Sequence, residues 1–204
     1  MYRMRKIITT TFITADGVMQ APGGPEEDTS GGFKYGGWMF PYGDEMVHSV
    51  LDGFWEIPFE LLLGKRTYDI WAPYWPTQDN NIAKPFNSTR KYVVSHHPAE
   101  LSWNNSVLIT GDVVAELRKL KEQDGPDLWV HGSGNLIQTL LKNHLIDVMH
   151  VWTFPVTVGN GKRLFAEGTQ PQEFKLVDSK ISPNGVIIAT YEPGGVVRTG
   201  SFTD

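Results

Sequence analysis

This sequence predicts an α/β fold in three layers: a mostly parallel mixed sheet, helices on both faces, and a C-terminal antiparallel hairpin. Two observations carry the prediction. Apolar and β-branched runs alternate with amphipathic helical stretches, and parallel strands need crossover connections that are normally helices. Near the end, two strand-like runs flank Pro183-Asn184-Gly185, a hairpin turn that adds an antiparallel edge. A third observation sets the scale: 204 residues with 40% apolar content suffice for one domain with its own core.

The elements follow in order. Lys6–Ile13 is a β-branched strand closed by the turn Asp16-Gly17. From Gln20 to Gly43 glycine, proline and aromatic residues take over, and a loop of that length inside a compact domain is either functional or disordered. Gly43-Asp44-Glu45 opens a helix with acidic residues at its positive end, and Met46, Val47, Val50, Leu51 and Phe54 recur at helical spacing. Glu60–Leu63 is a short strand ending at Gly64, and a short helix begins over Thr67–Ile70. Tyr92–Ser95 and Ser106–Thr110 are strands. Asp112 N-caps a helix whose stripe is Val113, Val114, Leu117 and Leu120. Asp124-Gly125-Pro126 turns into the strand Leu128–His131, and Gly132-Ser133-Gly134 feeds the helix Asn135–Lys142. Val148–Val158 is a long strand, and Phe174–Ile181 with Val186–Tyr191 forms the hairpin. The single domain is expected over residues 1–193, with a loose glycine-rich tail over 194–204.

Composition narrows the function classes. Lys plus Arg number 18 against 23 Asp plus Glu, a net charge of −5, which argues against binding nucleic acid or an anionic membrane surface. The absence of cysteine removes a disulfide framework, a thiolate nucleophile and Cys-ligated zinc. The basic start, Met1 to Lys6, precedes a short threonine-rich strand rather than the longer apolar stretch of a signal peptide. No stretch approaches the roughly 20 apolar residues of a membrane span, so a cytoplasmic protein is expected. None of His48, His96, His97, His131, His144 and His150 has the i, i+4 pairing or carboxylate company of a metal site, and no metal is expected.

In open parallel sheets ligands sit at the carboxyl ends of the strands. That rule points to Asp16-Gly17, Gly64–Thr67, Ser95-His96 and His131–Asn135. A glycine-rich turn feeding a helix N-terminus, as at Val130-His131-Gly132-Ser133-Gly134-Asn135, suits a diphosphate, although the same residues also make a tight αβ turn. It is neither Gly-x-Gly-x-x-Gly nor a P-loop. Ser133 does not read as a hydrolase nucleophile, because Gly-x-Ser-x-Gly would need glycine where His131 and Asn135 stand. Gly64-Lys65-Arg66-Thr67 sets two cations and a hydroxyl at a second strand-to-helix turn, fit for a phosphomonoester or simply for water. Asp16, Asp44 and Glu45 are candidate acids or caps, and Trp38 with its aromatic neighbours is a surface on which a flat ligand could stack.

Taken together, Thr-Ala-Asp-Gly-Val-Met at 14–19, Leu-Leu-Leu-Gly-Lys-Arg-Thr-Tyr at 61–68 and Lys-Tyr-Val-Val-Ser at 91–95 resemble the dihydrofolate reductase superfamily. Val-His-Gly-Ser-Gly at 130–134, Leu-Ile-Asp at 145–147 and Phe-Pro-Val-Thr-Val-Gly-Asn-Gly-Lys-Arg-Leu-Phe at 154–165 resemble one branch of it. That branch contains the C-terminal reductase domain of the bacterial riboflavin-biosynthesis deaminase-reductase. The resemblance runs from about Arg5 to Glu192 and implies an NADPH-dependent reductase. By position it implies that Lys65, Arg66 and Thr67 face the adenosine 2′-phosphate, with Ser95 and His96 on a second adenosine-side turn. Gly132, Ser133, Gly134, Asn135 and Leu136 match the diphosphate turn, and Phe12 and Met19 fall where the first strand and loop meet the nicotinamide. Asp16 matches the acidic residue of the branch's first turn. Two positions depart from the pattern. Counting back from Gly64 to the substrate carboxylate of dihydrofolate reductases lands near His48, with Asp44 and Glu45 about one turn earlier. His131 stands where riboflavin-pathway reductases present a glutamate near the substrate.

The function expected is hydride transfer from NADPH to a pterin- or pyrimidine-type heterocycle. Asp44, Glu45 or His48 would supply the proton, and Trp38 and His131 would contact the substrate. The alternative is a nucleotide-binding or sensor protein on the same fold without turnover. A homodimer is also expected, because Val148–Val158 is apolar on both faces, though burial under helices on both sides accounts for that equally well.

Overall fold

The computed structural model describes residues 3–202. The first two residues of the basic N-terminal run and the last two of the expected tail lie outside them. One eight-stranded sheet runs in the order β4-β3-β2-β5-β1-β6-β8-β7. Its strands are β1 (Ile7–Thr14), β2 (Phe59–Gly64), β3 (Lys91–Val94), β4 (Ser106–Ile109), β5 (Asp127–His131), β6 (Val148–Phe154), β7 (Glu173–Ile181) and β8 (Ile187–Gly195). All pairings from β4 through β6 are parallel, and β8 lies antiparallel between β6 and β7. The mixed three-layer α/β architecture is therefore as expected.

Helices α1 (Glu45–Trp55), α2 (Lys65–Tyr74) and α3 (Ala83–Ser88) cover one face, and α4 (Val113–Glu122) and α5 (Gly134–Lys142) the other. Alternate residues of the strands supply both cores, since successive side chains of a strand point to opposite faces. Ile7, Leu62, Leu128 and Val130 pack under α4 and α5 with Leu117, Ile137 and Leu140. Ile8, Leu61, Leu63 and Trp129 pack under α2 and α3 with Tyr68 and Phe86. Toward β6, Trp152 and Phe154 lie under Val47 of α1 and the 20–43 loop.

Four differences from the sequence expectation have local causes. Helix α3 was hidden by Pro85 and the polar residues around it; Asn80 starts it by accepting the N–H groups of Ile82 and Ala83. Helix α2 begins at Lys65, directly on β2, with no intervening loop. Strand β6 stops at Phe154, because Pro155 has no N–H to give a ladder. Strand β8 continues to Gly195, where Glu173 and Phe174 of β7 still find partners, so paired backbone runs past residue 193. Both faces of β6 are occupied within the chain: Met149 and Val151 on one side, Trp152 and Phe154 on the other. Its two-sided apolarity is accounted for by internal burial. The edge strand β7, in contrast, exposes Leu176, Val177 and Ile181. Among the described residues no helix is long and apolar enough to cross a membrane.

Candidate cofactor and substrate site

Neighbouring strands β2 and β5 run parallel and deliver two helices to the same end of the sheet. Their N-termini are joined through one side chain. The Ser133 hydroxyl accepts the Gly64 N–H at 3.0 Å and donates to the Thr67 hydroxyl at 2.7 Å. Gly64 permits this approach: a Cβ there would stand 3.3 Å from Cβ and Oγ of Ser133. Gly132 and Ser133 both adopt left-handed backbone, with φ of 61° and 62°. For serine that conformation is strained, and it persists where surrounding contacts over-determine it.

Helix capping separates these two helices from α1 and α4. Among the described residues, Asp44 caps α1 through Val47 N–H and Asp112 caps α4 through Ala115 N–H. Neither Gly64 at α2 nor Ser133 at α5 gives a side-chain cap to its own helix. The first-turn amides and positive dipole ends of α2 and α5 thus remain for an anion. Nothing lies within 4 Å of a Cβ placed on Gly132, so the turn faces open space.

The cations beside this turn are already partnered. Lys65 pairs with Asp69 along its own helix at 2.6 Å. Arg66 reaches across to Asp28 of the long loop at 2.6 Å, and Lys162 holds the other oxygen of the same carboxylate at 2.5 Å. Burial opposes ionisation of Asp28, but hydrogen bonds from Lys162 and Ser30 outweigh it and hold the carboxyl at about 2.

Next to the 132–136 turn, His131 is buried in a ring of aromatic side chains. Trp55, Phe86, Trp129 and Trp71 stand 5.3, 5.8, 5.9 and 6.0 Å from it, centroid to centroid. Burial first, and the nearby His150 second, depress its pKa to about 3, so the ring is neutral at physiological pH. Its Nε2 finds no partner among the described residues, and neither do the buried indole nitrogens of Trp55, Trp75 and Trp129. His150, itself held to about 4 by burial, engages Thr190 through Nδ1 at 2.9 Å.

The other expected residues are distributed as follows. Met19 joins the turn, with its sulfur 3.4 Å from where a Cβ of Gly134 would be. Asn135 and Leu136 occupy the first turn of α5. Ser95 and exposed His96 follow β3, whose Val94 pairs with Gly64, so this turn shares the same sheet end. Phe12 packs edge-on against Trp152 and Phe154. Asp16 is occupied in bracing: its carboxylate accepts the Thr14 hydroxyl and the N–H groups of Val158 and Gly159. The Thr14 bond chiefly lowers its pKa.

Trp38 presents no open stacking face, which corrects the expectation. It is 6% exposed, sits edge-on to Phe154, and spends its indole N–H on the carbonyl of Gln20. Nor are Asp44, Glu45 and His48 brought to the two turns. Asp44 is spent on the Val47 and Asn184 N–H groups, while Glu45 and His48 are exposed along an outer groove of α1 with Ser49, Asp52, Gly53 and Glu56. The apolar stripe Val47, Val50 and Phe54 turns to the sheet, which sends those positions outward. Sequence reasoning missed Asp28, Lys162 and Gln20. The length of the 20–43 loop was the advance signal for Gln20 and Asp28, and Lys162 lies outside it.

Known proteins bear on this arrangement. YyaP of Bacillus subtilis (strain 168), an uncharacterised protein, is 27% identical over 198 residues, covering 95% of this chain and 97% of its own. A putative riboflavin biosynthesis protein from Shewanella sp. PV-4 superposes with a TM-score of 0.72 at 23% identity, over 92% of this chain and 98% of its own. Dihydrofolate reductase from Enterococcus faecalis, solved with NADP(H), superposes with a TM-score of 0.61 at 13% identity, over 95% and 99%. These likenesses show a dihydrofolate reductase-like fold. The family model for the RibD C-terminal domain matches residues 5–188, and a match spanning every helix described above means that this chain belongs to that family.

Proposed function

We propose that the protein is an NADPH-dependent reductase acting on a pterin- or pyrimidine-type heterocycle. One observation carries the reading: the two helices that meet at the carboxyl ends of β2 and β5 lack side-chain caps, whereas α1 and α4 have them. Paired N-termini with an open glycine in front and Arg66 beside them fit a dinucleotide diphosphate. Gly132 to Leu136 would hold the diphosphate, Lys65, Arg66 and Thr67 the 2′-phosphate side, and Ser95 and His96 the adenosine. When bound, the cofactor supplies a hydride; the chain supplies orientation and exclusion of water. Met19, packed on Gly134, and Phe12 would border the nicotinamide, with neutral His131 on the substrate side. Because Asp16 and Asp28 are both engaged and Glu45 and His48 face the outer groove, the proton comes from water.

The test is loss of reduced-nicotinamide absorbance with a panel of pterins and pyrimidines, alongside calorimetry with NADPH and NADH. Turnover of any member with NADPH preferred supports the reading. NADPH binding without turnover favours the sensor alternative, and no binding removes both.

We further propose that the chain pairs as a homodimer through the outer hairpin. Leu176, Val177, Ile181 and Ile187 are each exposed on β7 and β8, and two-fold dimers are the commonest soluble assemblies.

A further inference from the structure

We propose that Asp28 is a built-in anion, which holds the guanidinium of Arg66 until a phosphate-bearing ligand takes its place. This rests on the reading that Arg66 faces a cofactor phosphate. Asp28 is braced by several groups. Buried Gln20 donates to the carbonyls of Asp28 and Ser30 at 3.0 and 2.9 Å, and its side-chain oxygen accepts the Lys162 N–H at 3.0 Å. Trp38 in turn donates to the carbonyl of Gln20 at 2.8 Å. The backbone that presents Asp28 is thus fastened at several points.

The carboxylate has three partners of unequal standing. Oδ1 accepts from the Ser30 hydroxyl at 2.6 Å and the Ser30 N–H at 3.2 Å, and Oδ2 accepts from Lys162 at 2.5 Å. Lys162 also donates to the Ser30 hydroxyl at 2.8 Å, closing a compact unit. Arg66 comes from outside that unit, at the start of α2, and donates a single N–H at 2.6 Å. Its side chain is 61% exposed, whereas that of Asp28 is 11% exposed. Arg66 is therefore the leg that can exchange, because Asp28 keeps Ser30 and Lys162 when it leaves. A guanidinium bonded to one carboxylate oxygen gains by turning to a phosphate that accepts two parallel bonds. The loop 20–43 is coupled in this way to occupancy of the phosphate site, and Asp28 sets how tightly phosphate is held.

The test is calorimetric titration of NADPH, and separately of inorganic pyrophosphate, into wild type, Asp28→Asn, Arg66→Ala and the double variant. Asp28→Asn keeps an acceptor oxygen but removes the competing charge. It should tighten binding of the anions by about two- to fivefold, the range of an exposed ion pair, and should have no such effect beside Arg66→Ala. Weaker or unchanged binding in Asp28→Asn, or a gain that persists without Arg66, overturns the proposal. A wild type that binds neither probe removes the cofactor reading along with this one, whereas binding indifferent to Asp28 removes this one alone. Asp28→Ser gives a second variant should Asp28→Asn misfold, and the same gain dependent on Arg66 is expected of it. Weaker or unchanged binding there also overturns the proposal.

Discussion

Replacing Ser133 separates two roles that one side chain performs. Its hydroxyl accepts the Gly64 N–H and donates to Thr67, and its backbone is left-handed at φ 62°, ψ 58°. Ser133→Ala removes both bonds and keeps the strain; at about 0.5–1.5 kcal/mol per bond the loss is about 1–3 kcal/mol. Ser133→Gly removes the same bonds but relieves a left-handed conformation that costs a residue with Cβ about 1–2 kcal/mol. The greater freedom of glycine in the unfolded chain takes back about 0.4–1 kcal/mol. The glycine variant should therefore be more stable than the alanine variant, by up to about 1.6 kcal/mol, and the alanine variant less stable than wild type. Urea unfolding of the three proteins, with equal slopes, measures this directly. An alanine variant as stable as wild type would refute the bridge. A glycine variant below alanine would refute the strain.

Arg66→Ala should weaken NADPH by about 1.5–3 kcal/mol, as for a lost charged hydrogen bond, and leave NADH nearly unchanged; equal losses in calorimetry would sink the 2′-phosphate assignment. His131 and His150 are held to about 3 and about 4 in the fold, below the ordinary histidine value, so the folded protein favours their neutral forms. The stability they confer is present above about pH 6.5 and is lost as pH falls toward those values, by up to about 1.4 kcal/mol per pH unit per group. His131→Phe should flatten the fall in urea midpoint between pH 7 and pH 5, and an unaltered slope would contradict the burial argument. Light scattering at micromolar concentration should give twice the 22.9 kDa chain mass, and Ile181→Lys with Ile187→Lys should halve it. A wild-type mass of a single chain ends the dimer proposal.

The strand and helix order was legible because it rests on local pattern. Alternating and helical periodicities mark β1, α1, α4, β5 and α5 within a residue or two of their observed limits. The turns at 64–67 and 132–136 were legible for the same reason: glycine, a hydroxyl residue and a following helix are all neighbours in the chain. Burial was harder to read. Trp38 and His131 are ring-bearing residues in or beside glycine-rich turns, where local pattern does not tell whether a ring is covered. That Phe154 closes over one, and Trp55, Trp71 and Phe86 over the other, depends on how α1, α2 and α3 lie on the sheet.

By itself the sequence determined the α/β alternation, the antiparallel end and the two strand-to-helix turns, since each is decided by residues within a few positions of one another. Only the tertiary structure decided which charges meet. Asp28, Arg66 and Lys162 are separated by 38 and 96 positions in the chain, and nothing local to any of them names the other two. Likewise the sequence offers Asp44, Glu45 and His48 as acids, but the packing of Val47 and Phe54 onto the sheet turns the exposed ones outward. The physical reason is the same in both cases. Periodicity states which side of an element is apolar, whereas the partner of a charged group is set by which loops and layers the folded chain brings within a hydrogen bond's reach.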